Sequence, residues 1–396
     1  VFSSLLQACT HQKDIHTGRE VYSWITRSGF HNVFLRNQLI RMFSSCGSLI
    51  EAKEVFNHVN KPNLFTWTAI ISAHIDMGSS DMAISLYNHM WNASKGFCGA
   101  KPDAHLFVSV LKACASACNL IQGRLVHGHI RQIGLETHIF VANSLISMYA
   151  RCECLLDARV LFDKLVNKDV VTWGAMIMAF LQCGQDEDAL LLFISMRKEG
   201  FIPNRVTFMC VLKACAAVGS LEMGEDIHVQ ARKQGLLQKD VLLSTALVDM
   251  YSKCGALEQA QEVFDQLPER NVVCWSALVA GYAQVGQTHV VLDIYRRMKS
   301  EGVEPNSVTF IVLLAACSHS GLLKEGEVLF NEMCAVYHFT PTLEHYNCMV
   351  SLFGRAGQLN KVKALLEKVP HSYHIPLVST ILGVCNKWTD VRLGRC

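Results

Sequence analysis

Apolar residues recur along the chain in pairs of helix-length stretches that are separated by short, glycine-containing turns. Within residues 241–271 the spacing predicts one helix from Leu242 to Lys253, a turn at Cys254-Gly255 and a second helix from Leu257 to Gln266. Pro268 then ends the second helix, because proline cannot continue a helix interior. Two helices of this size cannot bury both of their faces alone, so the pattern predicts neighbours of the same kind.

The same pattern returns at a long period. Trp67, Trp173 and Trp275 recur at steps of 106 and 102 residues. Fixed spacing of this kind is typical of repeat proteins. A period of 102 residues is too long for one helical hairpin, and it divides into repeats of 31, 35 and 36 residues. We therefore predict an all-α fold, an α-solenoid of stacked helix-turn-helix repeats.

The boundaries of the repeats follow from the turns and from the residues that end each second helix. Repeat 64–103 carries about five extra residues around Ala93 to Ala100, which predicts a lengthened loop. The predicted array occupies 1–373, and residues 374–396 begin a further segment. Its repeats are 1–32 (partial), 33–63, 64–103, 104–138, 139–169, 170–204, 205–240, 241–271, 272–306, 307–342 and 343–373.

Composition agrees with such a stack and excludes several classes of protein. The chain is 51% hydrophobic and 18% charged, which excludes a disordered chain. Interior repeats bury surface on two sides, which explains the apolar share. The net charge of +2 argues against binding of nucleic acid mainly through its phosphates. The longest apolar stretches, such as Phe310 to Cys317, are far shorter than the roughly 20 residues that span a bilayer, so we expect no membrane partner.

Seventeen cysteines suggest a metal or disulfide scaffold, but their positions do not support one. No Cys-x-x-Cys pair occurs, and seven of the cysteines recur in just two repeat positions, where cysteine behaves as a small, readily buried side chain. His127-Gly128-His129 resembles a pair of metal ligands, yet the equivalent of His127 is Phe330 in a later repeat. We therefore expect a packing role for His127, and we expect no metal and no cofactor.

The repeats resemble a known family. Val-Val-Thr-Trp at 170–173, Met-Tyr-Ser-Lys-Cys-Gly at 250–255 and Val-Leu-Lys-Ala-Cys at 211–215 are similar to motifs of plant pentatricopeptide repeat proteins of the PLS class. The resemblance covers nearly the whole chain. It implies a right-handed superhelix, and it identifies residues 374–396 as the truncated start of the family's C-terminal E-type extension. It also implies a fragment of a longer protein; Val1 stands where a natural start would have methionine.

Two sets of polar residues recur in the 31- and 35-residue repeats. The fifth-position residues lie in the first helix of a repeat and are Asn37, Thr68, Asn143, Gly174, Thr245, Ser276 and Asn347. The closing residues end a repeat and are Asn63, Asp103, Asp169, Asn204, Asn271 and Asn306. Helix capping alone could explain the closing residues, since Asn and Asp are favoured caps. It does not explain the polar fifth position, where the 36-like repeats have Val108, Met209 and Ile311.

The resemblance implies that both sets bind single-stranded RNA, one base per repeat. A carboxylate accepts the ring N–H of guanine or uracil, and an Asn amide matches adenine or cytosine. A small hydroxyl leaves room for a purine, and Asn suits a pyrimidine. Thr68 with Asp103 then predicts G, and Asn143 with Asp169 predicts U. The remaining predictions are A for Thr245 with Asn271 and for Ser276 with Asn306, a pyrimidine for Asn37 with Asn63, and no defined base for Gly174 with Asn204 or for Asn347.

The resemblance also implies a role as the site-recognition factor for C-to-U RNA editing in a mitochondrion or chloroplast, with organellar RNA as partner. Base deamination needs a zinc-bound water, a His-x-Glu and a Cys-x-x-Cys, and the sequence has neither motif. We expect no enzyme activity, and a deaminase domain or editing-complex proteins supplied in cis or trans. We expect no DNA partner. Splicing, transcript stabilisation and a protein-binding helical-repeat scaffold remain alternatives, and no targeting peptide is recognisable at the start.

Overall fold

A computed structural model describes residues 2–29, 32–60, 62–94, 102–237 and 240–370, with 373, 377, 380, 381 and 383 beyond them. Over these residues the chain forms 22 α-helices and no strand. It divides into two compact units, Val1–Pro203 and Asn204–Cys396. The helices predicted within residues 241–271 are confirmed to within one residue, as Val241–Lys253 and Leu257–Asp265.

The first unit, Val1–Pro203, contains twelve helices in six hairpins. They are α1 (Phe2–Gln12), α2 (Ile15–Arg27), α3 (Val33–Ser45), α4 (Leu49–Asn57), α5 (Leu64–Asp76), α6 (Ser80–Ser94), α7 (Ala104–Ser116), α8 (Leu120–Ile133), α9 (Ile139–Arg151), α10 (Leu155–Lys164), α11 (Val170–Gln182) and α12 (Asp186–Lys198).

The second unit, Asn204–Cys396, contains the remaining ten described helices. They are α13 (Arg205–Val218), α14 (Leu221–Lys233), α15 (Val241–Lys253), α16 (Leu257–Asp265), α17 (Val272–Gln284), α18 (Thr288–Ser300), α19 (Ser307–Ser320), α20 (Leu323–Ala335), α21 (Leu343–Arg355) and α22 (Leu359–Leu366).

Each unit has two layers of helices. The odd-numbered helices pack side by side in chain order, from α1 to α11 in the first unit and from α13 to α21 in the second. The even-numbered helices pack behind them, each against its own partner and, where the unit continues, the next odd-numbered helix. The core lies between the layers and includes the fully buried Phe43 and Phe107 in the first unit and Trp275 and Phe310 in the second.

The tryptophans that mark the long period pack between successive hairpins. Trp173 and Trp275 are buried, each edge-on to the Phe of the preceding hairpin, Phe162 and Phe264, at ring-centroid distances of 4.9 and 4.6 Å. Trp67 is partly buried and packs on Phe56 in the same way, at 4.9 Å. Because these rings fill the space between successive hairpins, they are not free to stack on a ligand.

His127 lies between two hairpins, as its repeat position predicts, but it also forms hydrogen bonds. Its Nδ1 is 2.7 Å from the hydroxyl of Tyr149, and its Nε2 is 3.1 Å from Glu136. One period later His228 contacts the hydroxyl of Tyr251 at 2.9 Å. In two other repeats the equivalent pairs contain no histidine. They are Tyr22–Phe43, whose rings are in edge contact, and Phe330–Phe353, and in neither pair is a tyrosine hydroxyl opposite a ring nitrogen. Tyrosine therefore accompanies histidine at this junction.

We expect the stability of the fold to fall as the pH is lowered through the histidine range. Burial lowers the pKa of His127 and His228 below the ordinary 6.5, in spite of Glu136 and Glu262 nearby. The unfolded chain therefore binds more protons below pH 6.5, and stability present above that pH is lost on acidification. The urea midpoint should be lower at pH 5.5 than at pH 7.5.

The chain offers a matched control for this prediction. Replacing His228 and Tyr251 together by phenylalanine copies the natural Phe330–Phe353 pair and removes one titrating group. The variant should fold and should lose less stability between the two pH values than the wild type. An equal loss in both proteins would contradict a role for His228.

Two sequence predictions fall partly outside the described residues. The lengthened loop expected at 93–100 begins at the end of α6, and residues 95–100 lie outside them; so does most of the expected extension 374–396. In the described part of the chain, no helix is both long and apolar enough to span a membrane. That part also contains no group of three or more His, Cys, Asp and Glu side chains placed to hold a metal ion.

Candidate nucleic-acid interface

All six closing residues cap the helix that follows them. In each case Oδ1 accepts the backbone N–H of the third helical residue. The capping distances are 2.9 Å for Asn63, 2.9 Å for Asp103, 2.7 Å for Asp169, 2.9 Å for Asn204, 3.0 Å for Asn271 and 2.9 Å for Asn306. Capping therefore accounts for the preference for Asn and Asp.

The cap uses only one of the two polar atoms of each closing side chain. Oδ1 is held because only an oxygen can accept from the backbone N–H. The other atom is Nδ2 in asparagine, which donates, and Oδ2 in aspartate, which accepts. Asn and Asp at a closing position are thus equivalent as caps. They differ in the second polar atom, which donates a hydrogen bond in Asn and accepts one in Asp. Capping and recognition of a ligand are compatible.

The hydroxyls at the fifth position all have an internal partner. Thr68 Oγ1 donates to the carbonyl of Leu64 at 2.9 Å, and Thr245 Oγ1 donates to that of Val241 at 2.7 Å. Ser276 Oγ lies 2.9 Å from Oγ1 of Thr309. A hydroxyl has one hydrogen, so Thr68 and Thr245 can only accept a further hydrogen bond.

The asparagines at the fifth position are held differently. Oδ1 of Asn37 and of Asn143 is buried and has no hydrogen-bond partner among the described residues. An unpaired buried acceptor costs about 1–3 kcal/mol, so each of these oxygens keeps the capacity to accept one more hydrogen bond. Asn347 is different, because its Oδ1 accepts from Thr380 at 2.8 Å. Gly174 offers no side chain.

Asn143 and Asp169 also contact each other, so one fifth-position residue and one closing residue act together. Burial disfavours the Asp169 carboxylate, but hydrogen bonds from Thr172, Asn143 and the backbone of Val171 outweigh it and lower the pKa of Asp169. The carboxylate is therefore ionised at neutral pH. It presents an acceptor beside the unpaired Oδ1 of Asn143.

In the first unit, fifth-position and closing residues of two neighbouring repeats line one groove. Helices α3 and α5 and the start of α7 enclose a volume of about 710 Å³, within the range of small-ligand sites. Its walls bring together two fifth-position residues and two closing residues, Asn37, Thr68, Asn63 and Asp103. Arg41 and Asp76 also line it, so its charge is mixed.

A third set of residues lies on the same surface and was missed in the sequence. The second residue of eight of the eleven repeats is apolar and more than half exposed, although it lies at the start of a helix that is buried on its other side; in the groove these are Phe34 and Phe65. A detectable signal was present: in Val170-Val171 and Val272-Val273 two adjacent apolar residues lie about 100° apart on a helix, so their side chains face different directions. The set comprises Phe34, Phe65, Phe140, Val171, Val206, Leu242, Val273 and Val308.

Comparison with known proteins places the chain in a family. The family model described as "PPR repeat" matches residues 35–61, 65–93, 140–170, 244–272, 308–335 and 344–372. The one described as "PPR repeat family" matches residues 168–217 and 270–319, and the two together cover more than half of the chain. The chain belongs to the pentatricopeptide repeat family.

The relatives of this pentatricopeptide repeat chain include proteins of Arabidopsis thaliana. One is 35% identical over 395 residues, which is 100% of this chain and 54% of the relative. A second, named as mitochondrial, is 35% identical over 397 residues, 100% of this chain and 57% of the relative. The chain therefore spans about half the length of the curated relatives that it matches.

A solved structure shares the fold. The pentatricopeptide repeat protein PPR10, in complex with an 18-nucleotide psaJ RNA element, superposes with a TM-score of 0.71. The match covers 92% of this chain and 59% of PPR10, at 17% sequence identity. The predicted all-α fold of stacked helix-turn-helix repeats is confirmed.

Proposed function

We propose that this pentatricopeptide repeat chain binds single-stranded RNA and reads its sequence, one nucleotide per repeat, without catalysing a reaction. The observation that carries the proposal is that the cap holds Oδ1 of each closing residue and leaves over its second polar atom, in repeats whose fifth position, apart from Gly174, is also polar. PPR10, which shares the fold, was solved with RNA bound.

The direction of the hydrogen bonds supports the base assignments. Thr68 can only accept, and Asp103 leaves Oδ2 as a second acceptor, so the pair suits guanine, whose edge has two neighbouring donors. Thr245 can only accept, and Asn271 leaves an Nδ2 donor, so that pair suits adenine, whose amino group lies beside a ring acceptor. Cytosine has the same order of donor and acceptor, and the small hydroxyl selects the larger base.

The exposed second-position residues supply the apolar part of the site. Base stacking on aromatic side chains tolerates any base and contributes about 1–3 kcal/mol per base. Phe34 and Phe65 in the groove, and the valines at this position elsewhere, are suited to hold the faces of the bases while the polar pair reads their edges. Arg41 in the same groove can pair with a phosphate.

We propose membership of the PLS class, from the alternation of repeat lengths, and a role as the site-recognition factor in organellar C-to-U editing. Some relatives are named as mitochondrial and others as chloroplastic, which supports one of these organelles. The deamination itself would come from another domain or protein, since the chain has no His-x-Glu and no Cys-x-x-Cys. Splicing and transcript stabilisation use the same recognition step.

An electrophoretic mobility shift experiment tests the reading of bases. The wild-type chain should bind an RNA with the predicted bases in the order of the repeats. Changing the two adjacent adenines opposite Thr245 and Ser276 to cytosine should weaken binding roughly 10- to 30-fold, because the smaller base leaves one contact unmade in each repeat and each lost contact costs about 1 kcal/mol. A scrambled RNA of the same composition should bind weaker still.

The outcomes separate the alternatives. Equal affinity for the adenine and cytosine RNAs, with weaker binding of the scrambled RNA, would contradict the assignment of Thr245 and Ser276 alone. Equal affinity for all three would contradict sequence reading. No binding of any RNA would favour the protein-binding scaffold.

A further inference from the structure

Three side chains from adjacent repeats form a continuous hydrogen-bond chain in the second unit. Ser276 Oγ lies 2.9 Å from Thr309 Oγ1, and Thr309 Oγ1 lies 3.0 Å from Asn306 Oδ1. The backbone N–H of Asn306 also reaches Thr309 Oγ1, at 3.3 Å. Thr309 is fully buried, while Ser276 and Asn306 are partly exposed.

The direction of every hydrogen bond in this chain follows from its chemistry. Asn306 Oδ1 must be the carbonyl oxygen, because it accepts the backbone N–H of Thr309 at 2.9 Å. The single hydrogen of the Thr309 hydroxyl therefore goes to Oδ1. Its two lone pairs are left for the Asn306 N–H and for Ser276, so Ser276 must donate. All the hydrogen-bonding capacity of the Thr309 hydroxyl is then used.

The two outer members of this hydrogen-bond chain, Ser276 and Asn306, then have fixed and opposite roles. Ser276 has spent its hydrogen and can only accept, and Asn306 has spent Oδ1 and offers the Nδ2 donor. We propose that Thr309 is a positioning residue that sets this acceptor–donor order and thereby makes the repeat select adenine over guanine. This inference rests on the proposed function, and it names a residue that would touch no base.

The preceding repeat provides a natural contrast. There the residue equivalent to Thr309 is Cys274, whose thiol donates to the backbone carbonyl of Asn271 instead of the side chain. Asn271 Oδ1 accepts the backbone N–H of Cys274 at 3.0 Å and no side-chain hydroxyl among the described residues, and Thr245 donates within its own helix. The two repeats are therefore predicted to read the same base, but only one of them has its polar pair joined through a buried hydroxyl.

The experiment compares Thr309→Val, which keeps the shape and removes the hydroxyl, with Thr309→Ser, which keeps the hydroxyl. Two RNAs carry either A or G opposite Ser276 and are otherwise the predicted sequence. In Thr309→Val the Ser276 hydroxyl is free to donate to the guanine oxygen, so the ratio of the two Kd values should fall by about tenfold, the worth of one hydrogen bond. Thr309→Ser should keep the wild-type ratio.

Two further measurements exclude a purely structural role. The ratio of the Kd values for A and G at the nucleotide opposite Thr245 should be unchanged in Thr309→Val, because the polar residues of that repeat do not contact Thr309. In a Ser276→Ala background, Thr309→Val should cause little additional loss of selectivity. Thermal unfolding of each variant measures the stability that is lost with the hydrogen bond from Thr309 to the capping oxygen. A loss of stability alone would weaken the binding of both RNAs by the same factor.

The outcomes are distinct. A wild-type chain that selects A, with the same ratio in Thr309→Val, would overturn this inference and leave the proposed function intact. A loss of affinity for both RNAs in equal proportion would also overturn it, because Thr309 would then only cap the helix. No selectivity in the wild type would overturn the proposed function and this inference with it.

Discussion

Asn306→Asp should change the preference of its repeat from adenine to guanine. The substitution leaves Oδ1 free to cap α19 as before and replaces the Nδ2 donor by the Oδ2 acceptor. Together with the acceptor at Ser276 this makes two acceptors, which match the two donors of guanine and repel the ring acceptor of adenine. A well-placed pair of contacts discriminates by about 1–3 kcal/mol, so the ratio of the two Kd values should shift by roughly 100-fold.

The fold should tolerate this change. Asp103 and Asp169 already cap α7 and α11 in the same geometry, and aspartate at a helix N-terminus is favoured by the helix dipole. Asn306→Ala provides the control, because it removes both the cap and the donor and should bind the adenine and guanine RNAs with similar, weaker affinity. An Asn306→Asp chain that still prefers adenine would show that the closing residue only caps.

Gly281→Val should destabilise the second unit by about 3 kcal/mol. A Cβ at Gly281 would lie 2.6 Å from Cβ and 2.9 Å from Oγ of Ser252, and 3.0 Å from Leu257. The Ser252 Cβ is attached to the backbone of α15 and cannot move without shifting the helix. Overpacking of this kind costs about 1–3 kcal/mol or more. The urea midpoint and hydrogen exchange in α15 and α17 would measure the loss.

Two companion variants test whether the effect of an added Cβ depends on the space around the glycine. Gly128→Ala in α8 adds a Cβ that meets nothing within 4 Å, so it should stabilise by up to about 1 kcal/mol through helix propensity. Gly281→Ala should also destabilise the unit, because its Cβ meets Ser252. Ser252→Gly removes those atoms, so the double variant Ser252→Gly, Gly281→Ala should recover much of the stability that Gly281→Ala loses. A Gly281→Val protein as stable as the wild type would contradict the close approach of α15 and α17.

The helical hairpins could be predicted because their information is local. The apolar spacing of residues 241–271 and Pro268 determined two helix ends to within one residue. Met42, Met148 and Met250 could not be assigned in the same way. They lie against Gly18, Gly123 and Gly224, where a Cβ would come within 2.4–2.5 Å of sulfur. These contacts join residues about 25 positions apart, and no local pattern encodes them.

The candidate site divides in the same manner. The fifth-position and closing residues were found from the sequence because they break the apolar pattern at a constant register, and their bases stay predictions. The exposed second-position residues could not be found in this way, because valine and phenylalanine do not break the apolar pattern. Which of two adjacent apolar residues is buried depends on how the next hairpin packs.

The sequence by itself determined the repeat, the helices and the register of the polar positions, since each depends on residues within one hairpin. Only the tertiary structure decided which atom of each polar side chain is free to bind. The hydroxyl of Ser276 and the amide of Asn306 are oriented by Thr309, which belongs to the next repeat. A hydrogen bond has a direction, and its direction depends on every partner that the folded neighbours bring within about 3 Å.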